Sequence, residues 1–235
     1  MLFRSDYLQI ELRVMAELSR DTVLLDAFRN GEDIHARTAQ EVFGVGPLMQ
    51  TSEHRRAAKV INFGIIYGLS PFGLAQRLSI PQKEAAQFIA AYFERYHGVK
   101  EYLDRSLEET RKTEMAKTLF GRIRPIPEIN SPQVQLRNFA ERTALNSPLQ
   151  GTAADLIKIA MINIDERMKK EKFEAKMILQ VHDELLFEAP KREAEKLTSL
   201  VKEGMESVHK LAVPLVVEIG VGANWRDLED VEDAA

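Results

Sequence analysis

Arg55, Lys59, Phe63 and Tyr67 recur at every fourth position of the segment Arg55-Arg56-Ala57-Ala58-Lys59-Val60-Ile61-Asn62-Phe63-Gly64-Ile65-Ile66-Tyr67-Gly68. On a helix, residues four apart stand above one another on one face. That face carries two cations, then a ring, then a second ring with a hydroxyl. Such a stripe can meet a nucleoside triphosphate end to end, with cations on the phosphates and rings on sugar and base. A surface helix whose two aromatics merely pack is the other reading of the ladder taken alone.

Two carboxylates supply the second piece of chemistry. Asp6 lies where a first strand gives way to a helix, and Asp183 lies at the tip of a hairpin. Both positions hold a carboxylate at a sheet edge. Two such groups close together repel unless divalent cations bridge them. Oxygen-only ligation points to Mg²⁺ or Mn²⁺. Two ions about 4 Å apart form a clamp for in-line phosphoryl transfer. Taken singly, Asp6 also reads as a helix cap and Asp183 as a turn former.

The elements that must position these groups follow from spacing. Met1 to Ser5 reads as a strand, and Gln9 to Leu18 has helical spacing of apolar residues. Short helices are predicted over Thr22 to Arg29, closed by Gly31, and Asp33 to Phe43, closed by Gly44. Thr51 or Ser52 caps the ladder helix, with Glu53 in its first turn. Pro81 begins a helix running to about Tyr96, and Gly98 separates it from another reaching about Lys112. Ala116 to Ile126, with Gly121, suggests a hairpin. Val134 to Asn146 and Thr152 to Lys170 read as long helices broken around Pro148. Lys176 to Leu179 and Leu185 to Glu188 flank His182-Asp183 as a tight hairpin. A helix over Arg192 to Lys210 then leads to a last strand, Leu215 to Val221. The sum is α+β, mainly helical, with a small antiparallel sheet drawn from the two ends of the chain and a helical lobe inserted between.

The bulk numbers exclude several classes. At 235 residues, 45% apolar and 29% charged, the chain is globular and long enough to bury a substantial core. A net charge of -4 does not advertise a nucleic-acid binder, so any phosphate-facing surface is local. Positive charge clusters at Arg55-Arg56-Lys59 and at Arg122, Arg124, Arg137 and Arg142. The absence of cysteine excludes disulfides and thiolate metal sites. No apolar run reaches membrane-span length and the opening residues are no signal peptide, so a cytoplasmic protein with no membrane partner is expected.

With these residues in view, the chain resembles the polymerase domain of family A DNA polymerases, the bacterial DNA polymerase I type. Asp6-Tyr7-Leu8-Gln9-Ile10-Glu11-Leu12-Arg13 looks like that family's first palm motif, and the ladder helix looks like its fingers motif. Gln180-Val181-His182-Asp183-Glu184 looks like the second palm motif. Asn146-Ser147-Pro148-Leu149-Gln150-Gly151-Thr152-Ala153-Ala154-Asp155 resembles a primer-template segment. The match runs in order from Phe3 to about Asp227. It implies palm at 1–30, a fingers-type helical lobe at 31–125 and the rest of the palm at 126–235, with the thumb, the first part of the palm and any exonuclease segment absent.

The resemblance also implies roles. Asp6 and Asp183 would hold two metals, with the Tyr7 carbonyl as an added ligand and Glu184 as an auxiliary carboxylate. Arg55, Lys59 and His35 would bind the triphosphate, with Lys59 also placed to protonate the pyrophosphate leaving group. On the residues alone, a lone histidine such as His35 would be taken as a surface residue. Phe63 would lie against the sugar and, with Glu11, block a ribose 2′-hydroxyl; Gln9 joins this nucleotide-binding set. Tyr67 would guard the template-base position. Arg142, Asn146, Gln150 and His182 would line the minor groove of the new base pair, where acceptors common to all correct pairs test geometry. Arg13 supports the region.

Two residues depart from the family pattern, which generally has serine at Leu8 and a small residue at Arg4. Arg4 either competes with the metals as a cation or points to solvent. The implied function is DNA-directed DNA polymerisation on primer-template DNA with deoxynucleoside triphosphates and Mg²⁺, in replication or repair, by a monomer. A fragment that binds nucleotide or DNA without catalysis, and a two-metal nuclease, are the alternatives. A nuclease needs no triphosphate grip.

Overall fold

The computed structural model describes residues 1–231, so the last four positions of the segment 126–235 lie outside the described residues. In chain order the first elements are β1 (Leu2–Tyr7), α1 (Ile10–Ser19), α2 (Thr22–Arg29), α3 (Ile34–Phe43), α4 (Ser52–Ile66) and α5 (Pro71–Leu78). Next come α6 (Gln82–Arg95), α7 (His97–Thr113), β2 (Met115–Lys117), β3 (Ile123–Pro125) and α8 (Val134–Lys170). The chain ends with β4 (Lys176–Val181), β5 (Glu184–Glu188), α9 (Ala194–Glu206), β6 (Val217–Gly222) and β7 (Leu228–Asp230). The fold is α+β. It divides into two compact units, residues 1–10 with 153–235, and residues 11–152.

The first unit is built on a five-stranded antiparallel sheet in the order β4-β5-β1-β6-β7. Alternation along β1 buries Phe3, Ser5 and Tyr7 and turns Arg4 and Asp6 to the other face. On the buried face Phe3 meets Phe187 edge-on, with ring centroids 5.6 Å apart. The Tyr7 hydroxyl donates to the Met205 carbonyl of α9 at 2.7 Å. Gly204 of α9 lets that helix approach Ile164 of α8, since a Cβ there would stand 2.7 Å from Ile164 Cγ1.

The second unit is helical, with the β2–β3 hairpin packed on a small cluster of Ala116, Ile126, Ile129, Ala140 and Ala144. Asp21 caps α2, accepting from the Val23 and Leu24 amides. Its other oxygen accepts from the Gly98 amide at 2.9 Å. A Cβ on Gly98 would lie 2.9 Å from Asp21 Cα. This corrects the expected role of Gly98: it lies inside the first turn of α7 and permits a close approach, and the break between α6 and α7 falls at Tyr96.

A second correction concerns Pro148, which sits inside one continuous α8 rather than between two helices. Proline removes one amide donor. The Ser147 hydroxyl donates to the Thr143 carbonyl at 2.6 Å and the Thr152 hydroxyl to the Pro148 carbonyl at 2.6 Å, so side chains bond carbonyls around the interruption. Helix α5, entered through the Ser70 cap and Pro71, and strand β7 were not anticipated. Among the described residues no helix is long and apolar enough to cross a membrane.

Candidate active site

In the sheet unit, the register places Asp6 opposite Glu184 on β5 and opposite Glu218 on β6. Directly opposed side chains of an antiparallel pair share a face. Glu184, Asp6 and Glu218 therefore form a carboxylate row across three strands. Asp183 stands in the two-residue link between β4 and β5. The Tyr7 amide donates to the Asp183 carbonyl at 3.3 Å, which brings the main chains of the two expected metal carriers together. His182 takes a left-handed φ of 52°, a conformation histidine tolerates better than most residues, and Gln180 Nε2 donates to its carbonyl at 2.6 Å. Gln9, at the strand-to-helix junction, has a φ of 54°.

The electrostatics of this row are lopsided. Burial, followed by the charges of Asp183 and Glu184, pushes the Asp6 carboxyl up to about 6; Glu218 adds to the rise and Arg4 opposes it. Asp6 Oδ1 is buried without a hydrogen-bond donor. Arg4 shares the sheet face of Asp6 and buries its Nε without an acceptor, so it acts as a cation at the site and does not simply point to solvent. Glu218 was missed by the sequence reading. Its signal was the Val217-Glu218-Ile219 alternation, but its partner depends on register. Leu8 is held by its amide, which donates to the Val216 carbonyl at 2.9 Å.

An over-negative, oxygen-only group with one buried, undonated oxygen on Asp6 has the donor chemistry that a hard divalent cation takes. Among the described residues no three histidine, cysteine or carboxylate side chains converge into a ready-made cage.

In the helical unit, Thr51 caps α4 in a reciprocal box with His54, which stands where glutamate is usual. Ala58, Ile61, Asn62 and Ile65 face inward. Arg55 and Lys59 are exposed, Phe63 and Tyr67 half-buried. The Phe63 and Tyr67 rings stack at 6.3 Å and 22°. Tyr67 is the C-cap, and its hydroxyl donates to Glu11 Oε2. Arg55 Nε donates to Asp33 Oδ2 at 2.6 Å, and Asp33 Oδ1 in turn caps α3 through the His35 amide. Burial raises the Asp33 pKa, but the Arg55 bond and the backbone amides outweigh it and the net shift is downward.

His35 is buried, not on the surface, with 2% of its area exposed. Burial, the Arg55 and Lys59 charges, and only a partial offset from Asp33 bring it down to about 4, so its imidazole is neutral at pH 7. Arg142, Asn146 and Gln150 fall four apart along α8, with Arg142 and Gln150 exposed. Asn146 Oδ1 is buried without a donor. A Cβ on Gly68 would lie 3.2 Å from Arg142 Cγ, so the glycine lets the end of α4 close on α8. Arg13 is buried with its guanidinium 4.7 Å over the Phe28 ring, a packing role. His182 lies in the sheet unit and is exposed.

A family model described as DNA polymerase family A matches residues 1–227. The chain is 49% identical over 227 residues to DNA polymerase I of Geobacillus stearothermophilus, covering 97% of this chain and 26% of that protein. It is 51% identical over 224 residues to DNA polymerase I of Caldicellulosiruptor bescii, covering 95% and 26%. Among solved structures it resembles the POL domain of Pol1 from M. smegmatis, in complex with DNA primer-template and dNTP. The TM-score is 0.92 at 46% identity, covering 95% of this chain and 40% of that one. The chain thus spans about a quarter of the length of these curated relatives.

Proposed function

The chain belongs to DNA polymerase family A, and we propose that it is the palm-and-fingers portion of a DNA-directed DNA polymerase. In this reading residues 1–30 and 126–235 are palm and 31–125 are the fingers-type lobe. The reaction is attack of a primer 3′-hydroxyl on the α-phosphate of a deoxynucleoside triphosphate, with release of pyrophosphate. The observation that carries it is Asp6 in the Glu184–Asp6–Glu218 row with the Asp183 charge near it, and with Asp6 Oδ1 buried and undonated. The solved relative with primer-template and dNTP supports DNA and nucleotide as the partners.

Asp6 and Asp183 would hold the cations, with the Tyr7 carbonyl beside them and Glu184 as an auxiliary carboxylate. Two Mg²⁺ ions, when bound, supply a lowered pKa for the 3′-hydroxyl and charge neutralisation for the leaving group. Lys59, and Arg55 on exchanging Asp33 for phosphate, bind the triphosphate; Lys59 gives a proton to the departing pyrophosphate. Phe63 covers the sugar, and Glu11, tied to Tyr67, occupies the space a 2′-hydroxyl would need. Gln9 would join this nucleotide-binding set. Arg142, Asn146, Gln150 and His182 read the shape of the nascent pair.

A labelled primer-template incubated with Mg²⁺ and the four deoxynucleotides tests the reading. Extension by the wild-type chain, lost by a factor of about 10³ or more in Asp183→Asn with an unchanged thermal melt, is expected. Full extension by Asp183→Asn refutes the carboxylate assignment. Primer shortening without nucleotides marks a nuclease instead.

A further inference from the structure

The helical unit buries a polar chain that the reaction does not itself require. Thr38 on α3, Asn62 on the inner face of α4 and Tyr96 between α6 and α7 are each 0% exposed, and His35 is 2% exposed. The Thr38 hydroxyl donates to Asn62 Oδ1 at 3.0 Å and lies 3.0 Å from the Tyr96 hydroxyl. Asn62 Nδ2 lies 3.0 Å from His35 Nδ1.

With the Asn62 oxygen turned to Thr38, counting hydrogens sets the remaining directions. Thr38 has one, given to Asn62 Oδ1, so Tyr96 must donate to Thr38. With its oxygen engaged there, Asn62 turns its NH₂ toward His35. Histidine Nδ1 must then accept, which puts the imidazole hydrogen on Nε2. We propose that Asn62, with Thr38 and Tyr96 behind it, is a positioning residue that holds His35 as the neutral Nε2–H tautomer, a donor for a phosphate oxygen of the bound nucleotide. The inference rests on the nucleotide-binding reading of the α4 ladder.

Protonating His35 would set an Nδ1–H against the Asn62 NH₂, donor against donor. Relief requires the Asn62 amide, the Thr38 hydroxyl and the Tyr96 hydroxyl to reverse together. The charged groups around His35 are Asp33 on its own helix and Arg55 and Lys59 on α4. The third element contributes Tyr96, whose phenol burial pushes up to about 12 and keeps protonated. Two of the three charges oppose an imidazolium. A neutral donor beside two cations orients a phosphate without adding a third charge that would have to be given up with pyrophosphate.

Long-range ¹H–¹⁵N NMR of the full chain at pH 7 reads the tautomer directly. In the wild type, His35 Nε2 is expected to carry the hydrogen and Nδ1 none. Asn62→Asp offers only acceptors and is expected to put a hydrogen on Nδ1. Mg²⁺–dATP is expected to shift the wild-type Nε2–H resonance, to bind about tenfold more weakly to Asn62→Asp, and to bind His35→Gln, which keeps a neutral donor, better than His35→Ala. If Asn62→Asp does not fold, Thr38→Val removes the bond that orients the amide and replaces it. A hydrogen on Nδ1 in the wild type, or a tautomer unmoved by these variants, overturns the proposal. Mg²⁺–dATP that binds, as shown by weakening in Lys59→Ala, yet leaves His35 unshifted overturns it while sparing the ladder. Absence of dATP binding sinks the ladder reading and the donor role together, whatever the tautomer.

Discussion

Asp6 keeps company mostly with its own sign of charge, and that makes its ionised form a stability liability. Its folded pKa of about 6 lies above its ordinary 3.8, so the folded state binds the proton more tightly. The resulting stabilisation is full below pH 3.8 and disappears as pH rises through 6. In chelator-containing buffer, Asp6→Asn is therefore expected to melt a few degrees above the wild type at pH 8, with the gap closing toward pH 4. Added Mg²⁺ should raise the wild-type melt and leave the variant's nearly unmoved. A variant less stable than the wild type at pH 8 without metal would contradict the electrostatics. The position of Asp183 was legible because a hairpin tip is written locally; that of Asp6 was only partly so, since the strand expected to stop at Ser5 runs on to Tyr7 and holds Asp6 inside the ladder. Glu218 was not, because its place beside Asp6 depends on which strands pair. The burial of His35 was equally hidden, since it is set by Asn62 and Phe63 of another helix.

At the scale of elements, helix ends were the legible features and helix neighbours were not. Thr51, Asp33 and Gly44 perform the caps their types suggest. Gly98 and Pro148 show where the same local rules fail. Each reads as a breaker in one dimension; in the fold one admits Asp21 and the other is spanned by the hydroxyls of Ser147 and Thr152. Gly98→Ala puts a Cβ against the Asp21 backbone, which cannot yield as a flexible side chain would. It is expected to destabilise the chain by about 1–3 kcal/mol, lowering the denaturant midpoint without changing the slope. Gly121→Ala has open space around its Cβ but a φ of 82°. Its cost is therefore conformational alone, about 1 kcal/mol. Equal midpoints for Gly98→Ala and the wild type would show that no close approach exists.

For the whole molecule, the net charge of -4 means that the proposed attraction to DNA would have to come from exposed cations such as Arg124 and Arg142 rather than from the mean field. If each meets a phosphate, replacing it by alanine should flatten the dependence of log K on log salt by about one. A slope unchanged in both variants would place the DNA elsewhere. The mainly helical α+β organisation was readable from periodicity; the strand order was not, because β1 takes both its neighbours from the far end of the chain. That placement also has a consequence for biosynthesis. Ser5 bonds the Leu185 carbonyl across 180 positions, so at ordinary ribosomal speeds β1 waits about 10–40 s for its partner to be made. Loops of that span close slowly, whereas the intervening helices have partners close at hand. During that interval a strand carrying Phe3 and Tyr7 has its edges unpaired, exposed to any other β-prone segment in the cell.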